Sequence, residues 1–355
     1  MDRAYRPKVK HFLILLSAAF IVFLLSLSSG VVEYLYSDRL YLFTSIVQRF
    51  ISSLVPFAMG DLLYLLLIGY LLSVLFSFGR KVVKGTLKKT DRINMPLGAL
   101  NFGLLLYLTF KILWGLNYSR PPIAQQLGIS SEKYNTAQLV SLGRFFILRL
   151  NKLQSVKKTR FNIGQLRDIA VNGYSSMEKT NRFFDYHIPS VKPVMNSWII
   201  TKIGIEGYYN PLSGEANVNM RLPSVALPFV TCHEIAHQLG IGREDEANLI
   251  GYLVSSNSTN SYFQYSANYA MLKSILFEIR VKSPEDYDKL YATINKGTIR
   301  DFEADRDFWR KYNNEMFGYL DVAFDRFLKL NNQPKGTDSY QDIVLWLYNI
   351  HKKDL

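Results

Sequence analysis

Three long runs of apolar residues divide the first third of the chain, and the remainder alternates helix-like periodicity with short β-rich stretches. Residues 11–32 contain no Asp, Glu, Lys or Arg, and their core from Phe12 to Leu27 reads FLILLSAAFIVFLLSL. A helix rises about 1.5 Å per residue, so roughly 20 such residues cross the ~30 Å hydrocarbon layer of a bilayer. Two further runs occupy 60–79 and 96–115, the second continuing past Lys111 to Trp114 and Gly115. The pattern predicts three transmembrane helices. Basic residues ahead of the first run and Ser28-Ser29-Gly30 behind it also fit a cleavable leader, but the two later runs anchor the chain in either case.

Between the first two runs, near 38–54, Tyr41, Leu42, Ile46, Val47, Phe50 and Leu54 recur at helical spacing beside Arg39, Gln48 and Arg49. That spacing predicts an amphipathic interfacial helix lying on the membrane. Asp61 and Lys111, at the ends of the second and third runs, are expected simply to reach the interface. Trp114 to Pro122 (WGLNYSRPP) combines aromatic anchors with a double proline, an exit from the membrane into a second region over 120–355.

In that region apolar residues recur at helical intervals over Thr136–Gln154 and Gly164–Met177. Val194–Ile205 is β-branched and aromatic, and the segment from Gly207 to Asn219 carries turn residues at its centre, so a small hairpin or two short strands are expected there. Beyond them Glu244–Val254, Ser261–Phe277 and Ile299–Leu330 all follow the helical period. The fold class read from the pattern is an α-helical membrane region with three transmembrane helices followed by an α+β, mainly helical domain.

Composition agrees with a mixed chain. The 355 residues are 48% hydrophobic and 14% aromatic, with a mean hydropathy close to zero. The formal net charge of +13 is in part topological. Arg3, Arg6, Lys8 and Lys10 precede the first run, and Arg80, Lys81, Lys84, Lys88, Lys89 and Arg92 lie between the second and third. The positive-inside rule puts both groups on the cytoplasmic side and residues 120–355 on the other. Those charges hug the bilayer and no Gly-rich phosphate loop is present, so a lipid bilayer is an expected partner and nucleic acid is not. The single cysteine, Cys232, excludes an internal disulfide and reads as a small core residue.

The chemistry concentrates at His233-Glu234-Ile235-Ala236-His237. On a helix, histidines at i and i+4 project from one face and can share one Zn2+ ion. Glu234, one residue after the first ligand, is placed to take a proton from a water held by the metal, the role of a general base. Pro228 suits the first turn of this helix and Gly240 a left-handed stop. Catalytic zinc takes three protein ligands and leaves a position open. A third is sought in the acidic cluster Arg243-Glu244-Asp245-Glu246-Ala247-Asn248.

Here the sequence resembles the gluzincin metallopeptidases, whose third ligand is the first Glu of a Glu-x-x-Ala-Asn or Glu-x-x-Ala-Asp pattern on the following helix. The resemblance implies that Glu244 joins His233 and His237 on the metal and that Asn248 hydrogen-bonds the outward nitrogen of a histidine ligand. The short spacing from His237 keeps Glu246 as a rival. The whole chain also resembles a bacterial membrane family catalogued as domain of unknown function 3810, through WGLNYSRPP, YYNPLSGEANVN, CHEIAHQLGIGREDEAN and LKLNNQPKGTDSY. That family implies three spans followed by a zincin-like domain in the bacterial cytoplasmic membrane. In zincins a strand before the motif helix commonly pairs with an extended peptide, and Gly214–Asn219 is the expected edge. Glu215 would buttress a ligand, catch a substrate amine, or cap a turn. Tyr208, Tyr209, His187 and Tyr340 are by type the candidates to stabilise an oxyanion.

The expected function is that of a membrane-anchored, zinc-dependent metallopeptidase acting on a peptide or protein substrate. A zinc amidase acting on cell-wall peptides and a catalytically silent metal-binding scaffold are the alternatives. An intact Glu234 argues against the scaffold, which has no need of that carboxylate.

Overall fold

The computed structural model describes residues 6–312 and 342–355, together with 322, 326, 327 and 329–331. Three helices are long and apolar enough to cross a membrane, Pro7–Ser26, Met59–Val83 and Asp91–Leu113. The first and third pack together through Ala19, Val22 and Leu108, with Leu15, Ala18, Leu104 and Tyr107 around them. At their far end Lys8 Nζ donates to the Asn94 carbonyl at 3.2 Å and Asn101 Nδ2 to the Lys8 carbonyl at 3.1 Å. The second helix keeps Leu65, Leu66, Leu72, Leu75 and Phe76 exposed, an apolar surface all round that suits a helix crossing a membrane.

The first span ends at Ser26, earlier than the apolar run suggests. Ser28 adopts an extended backbone that breaks the helix. A π-helix over Val32–Tyr41 follows and runs into an α-helix over Leu42–Ser53. The expected interfacial helix near 38–54 is α-helical only from Leu42.

The second region is built on one apolar core, in which Leu142, Phe146, Leu166, Ile235, Ile250 and Leu272 meet. Its helices begin where the local chemistry says they should. Asn135 and Asn162 each accept from the backbone N–H three residues on, while Gln138 and Gln165 accept in return from the cap backbones, a reciprocal capping box. The resulting helices cover Thr136–Lys152 and Ile163–Glu178. After the motif helix Leu227–Gln238, further helices span Glu244–Ser256, Ser261–Lys282, Pro284–Tyr291 and Lys296–Tyr312, with a last at Asp342–His351. The expected helix 299–330 therefore begins at Lys296. Most of it beyond Tyr312 lies outside the described residues.

Three short strands form one sheet, β1 (Val191–Pro193), β2 (Gly207–Asn210) and β3 (Glu215–Val218), in the order β1-β3-β2. β1 runs parallel to β3, and β2 pairs with it as an antiparallel hairpin. Two expectations fail here. The β-branched segment 194–205 is not a strand: Asn196 Oδ1 accepts from the Ile199 N–H at 3.1 Å and starts a short helix, Ser197–Lys202. A good N-cap beats a weak strand propensity that no neighbouring strand supports. Gly214–Asn219 is not an edge either, since β3 has a partner on each side and no unpaired backbone to offer a peptide.

Candidate metal centre

The motif helix and the helix Glu244–Ser256 fold back on one another across a tight turn. Gly240 takes φ +82°, the left-handed conformation that favours glycine. Gly251 brings the second helix so close that a Cβ there would lie 3.2 Å from the His233 nitrogen. Three side chains converge in the angle between the helices. His233 Nε2 lies 3.2 Å from Glu244 Oε2, His237 Nε2 lies 3.7 Å from the same oxygen, and the two imidazole nitrogens are 3.2 Å apart. Zinc bonds of about 2.0–2.1 Å in a tetrahedron separate ligand atoms by about 3.3 Å, so the triangle already has the dimensions of a zinc site.

The orientation of the rings fits the same purpose. His237 Nδ1 lies 2.6 Å from the Ile241 carbonyl, which holds a proton on Nδ1 and makes Nε2 the ring nitrogen that could take a cation. Asn248 bonds neither ring among the described residues. His233 Nδ1 is buried without a partner, and the carbonyl of the turn after Gly240 has taken the role that the family resemblance gave to Asn248. Glu246 stands apart from the triangle. It accepts from the Ile123 N–H at 2.9 Å and pairs with Arg243 at 3.5 Å, as expected for a residue about 200° around the helix from Glu244.

Glu234 is buried beside the histidines with its Oε2 unpartnered. β2 begins against it, because a Cβ on Gly207 would come within 2.5 Å of Glu234 Oε1. Burial, opposed by the two histidines and reinforced by Glu244 and Glu206, pushes its pKa up to about 7. Burial works against the His237 imidazolium, but Glu244 beside it raises the pKa to about 9. Glu244 is in turn held well below the carboxylate range, against its burial, by His237 and His233. A cation held by these groups would displace the imidazolium proton of His237. Glu206, just ahead of β2, has its pKa raised by burial and interacts with His233, Lys273 and Asp305. No motif marks it in the sequence.

The far end of the motif helix is held by the membrane region. Trp114 Nε1 donates to the His237 carbonyl at 3.2 Å, and Tyr41 donates to the carbonyls of His237 and Gln238 at 3.3 and 3.0 Å. Arg120 Nη1 reaches the carbonyls of Leu239 and Gly240 at 3.1 and 3.3 Å, while its other nitrogens grip Glu33 at 2.8 and 2.7 Å. These are the carbonyls a helix C-terminus leaves without intrahelical donors. Glu215 returns the favour, accepting from the Met59 and Gly60 N–H groups at 2.9 and 2.7 Å and so capping the second span. Asp61 accepts from the Met195 N–H at 2.8 Å and from the Tyr208 hydroxyl, and Lys111 donates to Asn331 at 3.0 Å. Neither group merely reaches an interface.

Of the oxyanion candidates, Tyr208 is engaged by Asp61, and Tyr209 is buried against the Trp114 ring at 5.2 Å. His187 lies exposed beside Asp185 at 2.6 Å, and Tyr340 lies outside the described residues. The other close grouping of potential ligands among the described residues, Glu178, Asp185 and His187, is largely at the surface.

Residues 36–348 match the family model described as a protein of unknown function (DUF3810). No curated protein and no solved structure matches the chain. The matched stretch takes in the helix Leu42–Ser53, the last two of the three long apolar helices, the hairpin and both helices that carry His233, His237 and Glu244, and the chain belongs to the DUF3810 family.

Proposed function

We propose that the chain is a membrane-anchored, zinc-dependent metallopeptidase whose ion is held by His233, His237 and Glu244. The observation that carries this reading is the convergence of two imidazole nitrogens and a carboxylate oxygen at 3.2 to 3.7 Å, beside a buried carboxylate with an unpartnered oxygen. When bound, the ion supplies Lewis acidity to a water and a substrate carbonyl in its open position. Glu234 takes the proton of the attacking water and delivers it to the leaving amine. An extended peptide pairing with the edge strand β2 would run past Glu234, against which Gly207 is packed. The unpartnered Glu234 oxygen favours this reading over a silent scaffold, because leaving a buried acceptor unpaired costs about 1–3 kcal/mol and a scaffold gains nothing from it.

The centre belongs near the bilayer surface, since Trp114, directly after the third span, bonds the backbone of a ligand. The substrates are therefore peptide segments within reach of the membrane. The basic stretches at 3–10 and 80–92 flank the opposite ends of the spans, which by the positive-inside rule makes the metal region extracytoplasmic in a multi-pass protein of the bacterial cytoplasmic membrane.

The deciding experiment is the metal content of the purified full chain alongside His233→Ala. About one zinc per intact chain, lost in the variant, is expected; an intact chain that binds no metal refutes the reading. A reporter fused after Leu355 should be active only outside the cytoplasm, and a cytoplasmic signal would reverse the orientation.

A further inference from the structure

Three apolar side chains stand exposed just outside the second span. Met195, Trp198 and Ile199 are 52%, 52% and 47% exposed, at the start of the short helix Ser197–Lys202. Their height relative to the membrane is fixed by a hydrogen bond. The Met195 N–H donates to Asp61 at 2.8 Å, and Asp61 lies in the first turn of the helix Met59–Val83. Backbone pinned to the first turn of a membrane-crossing helix sits where that helix leaves the hydrocarbon.

The helix Leu42–Ser53 presents a second surface of the same kind. One face is bound to the metal-bearing region: Gln48 donates to the Pro211 carbonyl at 2.8 Å, and the Ser52 and Ser190 hydroxyls lie 2.7 Å apart. The other face leaves Phe43, Phe50 and, just past the helix, Leu54 exposed at 68%, 53% and 69%.

We propose that the Met195–Trp198–Ile199 lip is a lipid-contact surface, sunk beside the helix Leu42–Ser53 into the leaflet on the metal centre's side. Its continuity with the second span selects lipid as the occupant over a second protein. The chemistry of its rim agrees. Lys202 Nζ stands 5.1 Å from the Trp198 ring centre, and an amphipathic indole with a cation over it is the pairing suited to headgroup level. Asp61 ties the lip to Tyr208 on β2, so the strand that begins against the Glu234 side chain and the lipid-seated residues form one unit. The membrane thereby gains a third foothold on the metal-bearing region, besides the span ends and the helix Leu42–Ser53.

The test is spin labelling of the full chain in phosphatidylethanolamine and phosphatidylglycerol vesicles. Cys232 is buried, with its thiol pushed up to about 12 by that burial, so a cysteine introduced at Trp198→Cys or Ile199→Cys is the reactive one. Leu75→Cys, on the exposed face of the second span, is the lipid reference, and Lys289→Cys, on the exposed side of a charged helix, is the aqueous one. Labels at 198 and 199 should collide with oxygen more than with a water-soluble nickel chelate, in the same sense as position 75. Access to the chelate like that at 289 overturns the proposal, because the lip is then in water. Low access to both reagents overturns it as well, because the lip is then covered by protein, a second copy included. None of these outcomes depends on whether the metal centre is a peptidase.

Discussion

Two buried carboxylates, one in the hairpin and one in the motif helix, show how differently the two regions use the same group. Glu215 is saturated, with one oxygen accepting from the Met59 N–H and the other from the Gly60 N–H and the Ser213 hydroxyl. It meets the positive end of the second span and turns a helix start into a joint between membrane and domain. Glu234 is also buried but keeps an unpartnered oxygen, with the two histidines and the backbone of Gly207 beside it. A buried acceptor left open costs about 1–3 kcal/mol, and nothing in the surrounding fold relieves it. The contrast teaches where to look for chemistry: the satisfied carboxylate builds the structure, and the unsatisfied one has capacity to spare.

Glu234→Gln breaks the contrast at its reactive end. The amide keeps the size and burial but cannot accept a proton, so hydrolysis of a cleaved peptide should fall by about two to four orders of magnitude with zinc content unchanged. Loss of zinc, or turnover that does not change, would show Glu234 to be structural like its counterpart. Glu215→Ala breaks the other end. It strands two buried helix N–H groups and should lower stability by about 3 kcal/mol, read as a drop in the unfolding midpoint of the detergent-solubilised chain. A midpoint like that of the unaltered chain would mean that the joint holds without its carboxylate.

A smaller effect sharpens the comparison at the far end of the motif helix. Arg120→Ala removes the donor to the Leu239 and Gly240 carbonyls and leaves Glu33 without its bidentate partner. A loss of about 2 kcal/mol is expected, together with weaker zinc binding in a competition titration. Equal zinc affinity would uncouple the cap from His237.

The smallest effect concerns a titratable group whose charged form is disfavoured by burial. His351 Nε2 lies 2.7 Å from the Tyr252 hydroxyl, and burial, then Arg149, holds its pKa down at about 4 against an ordinary 6.5. The folded chain thus binds this proton less readily than the unfolded one. Its contribution is complete above pH 6.5 and is lost as the pH falls toward about 4. After allowance for solvent screening it amounts to about 1–2 kcal/mol. His351→Gln should flatten the acid side of the stability curve over that window, and an unchanged slope would assign it to other groups.

What the sequence determined by itself is what local spacing and local chemistry encode. Apolar runs locate the three long helices, though not their ends, because length and hydrophobicity need no partner to be read. His233 and His237 share a face because a helix puts i and i+4 there, and Pro228 and Gly240 mark its ends because one lacks an N–H and the other tolerates a positive φ. The hairpin around Gly214 was legible from its turn residues. The tertiary structure decided everything that depends on a distant neighbour. β3 is central because β1, which precedes it by more than a turn of chain, lies along its other side, and no alternation within 214–219 reveals that. Residues 194–205 are helical because a strand without a pairing partner loses to an asparagine cap. Glu244 rather than Glu246 meets the histidines because of the angle at which Gly240 and Gly251 let two helices cross, and an open ring nitrogen was filled by the Ile241 carbonyl and not by Asn248. The bonds from Tyr41, Trp114 and Arg120 to the end of the motif helix span more than a hundred residues. Periodicity extends only over a few turns of chain, so contacts across that separation leave no trace in it.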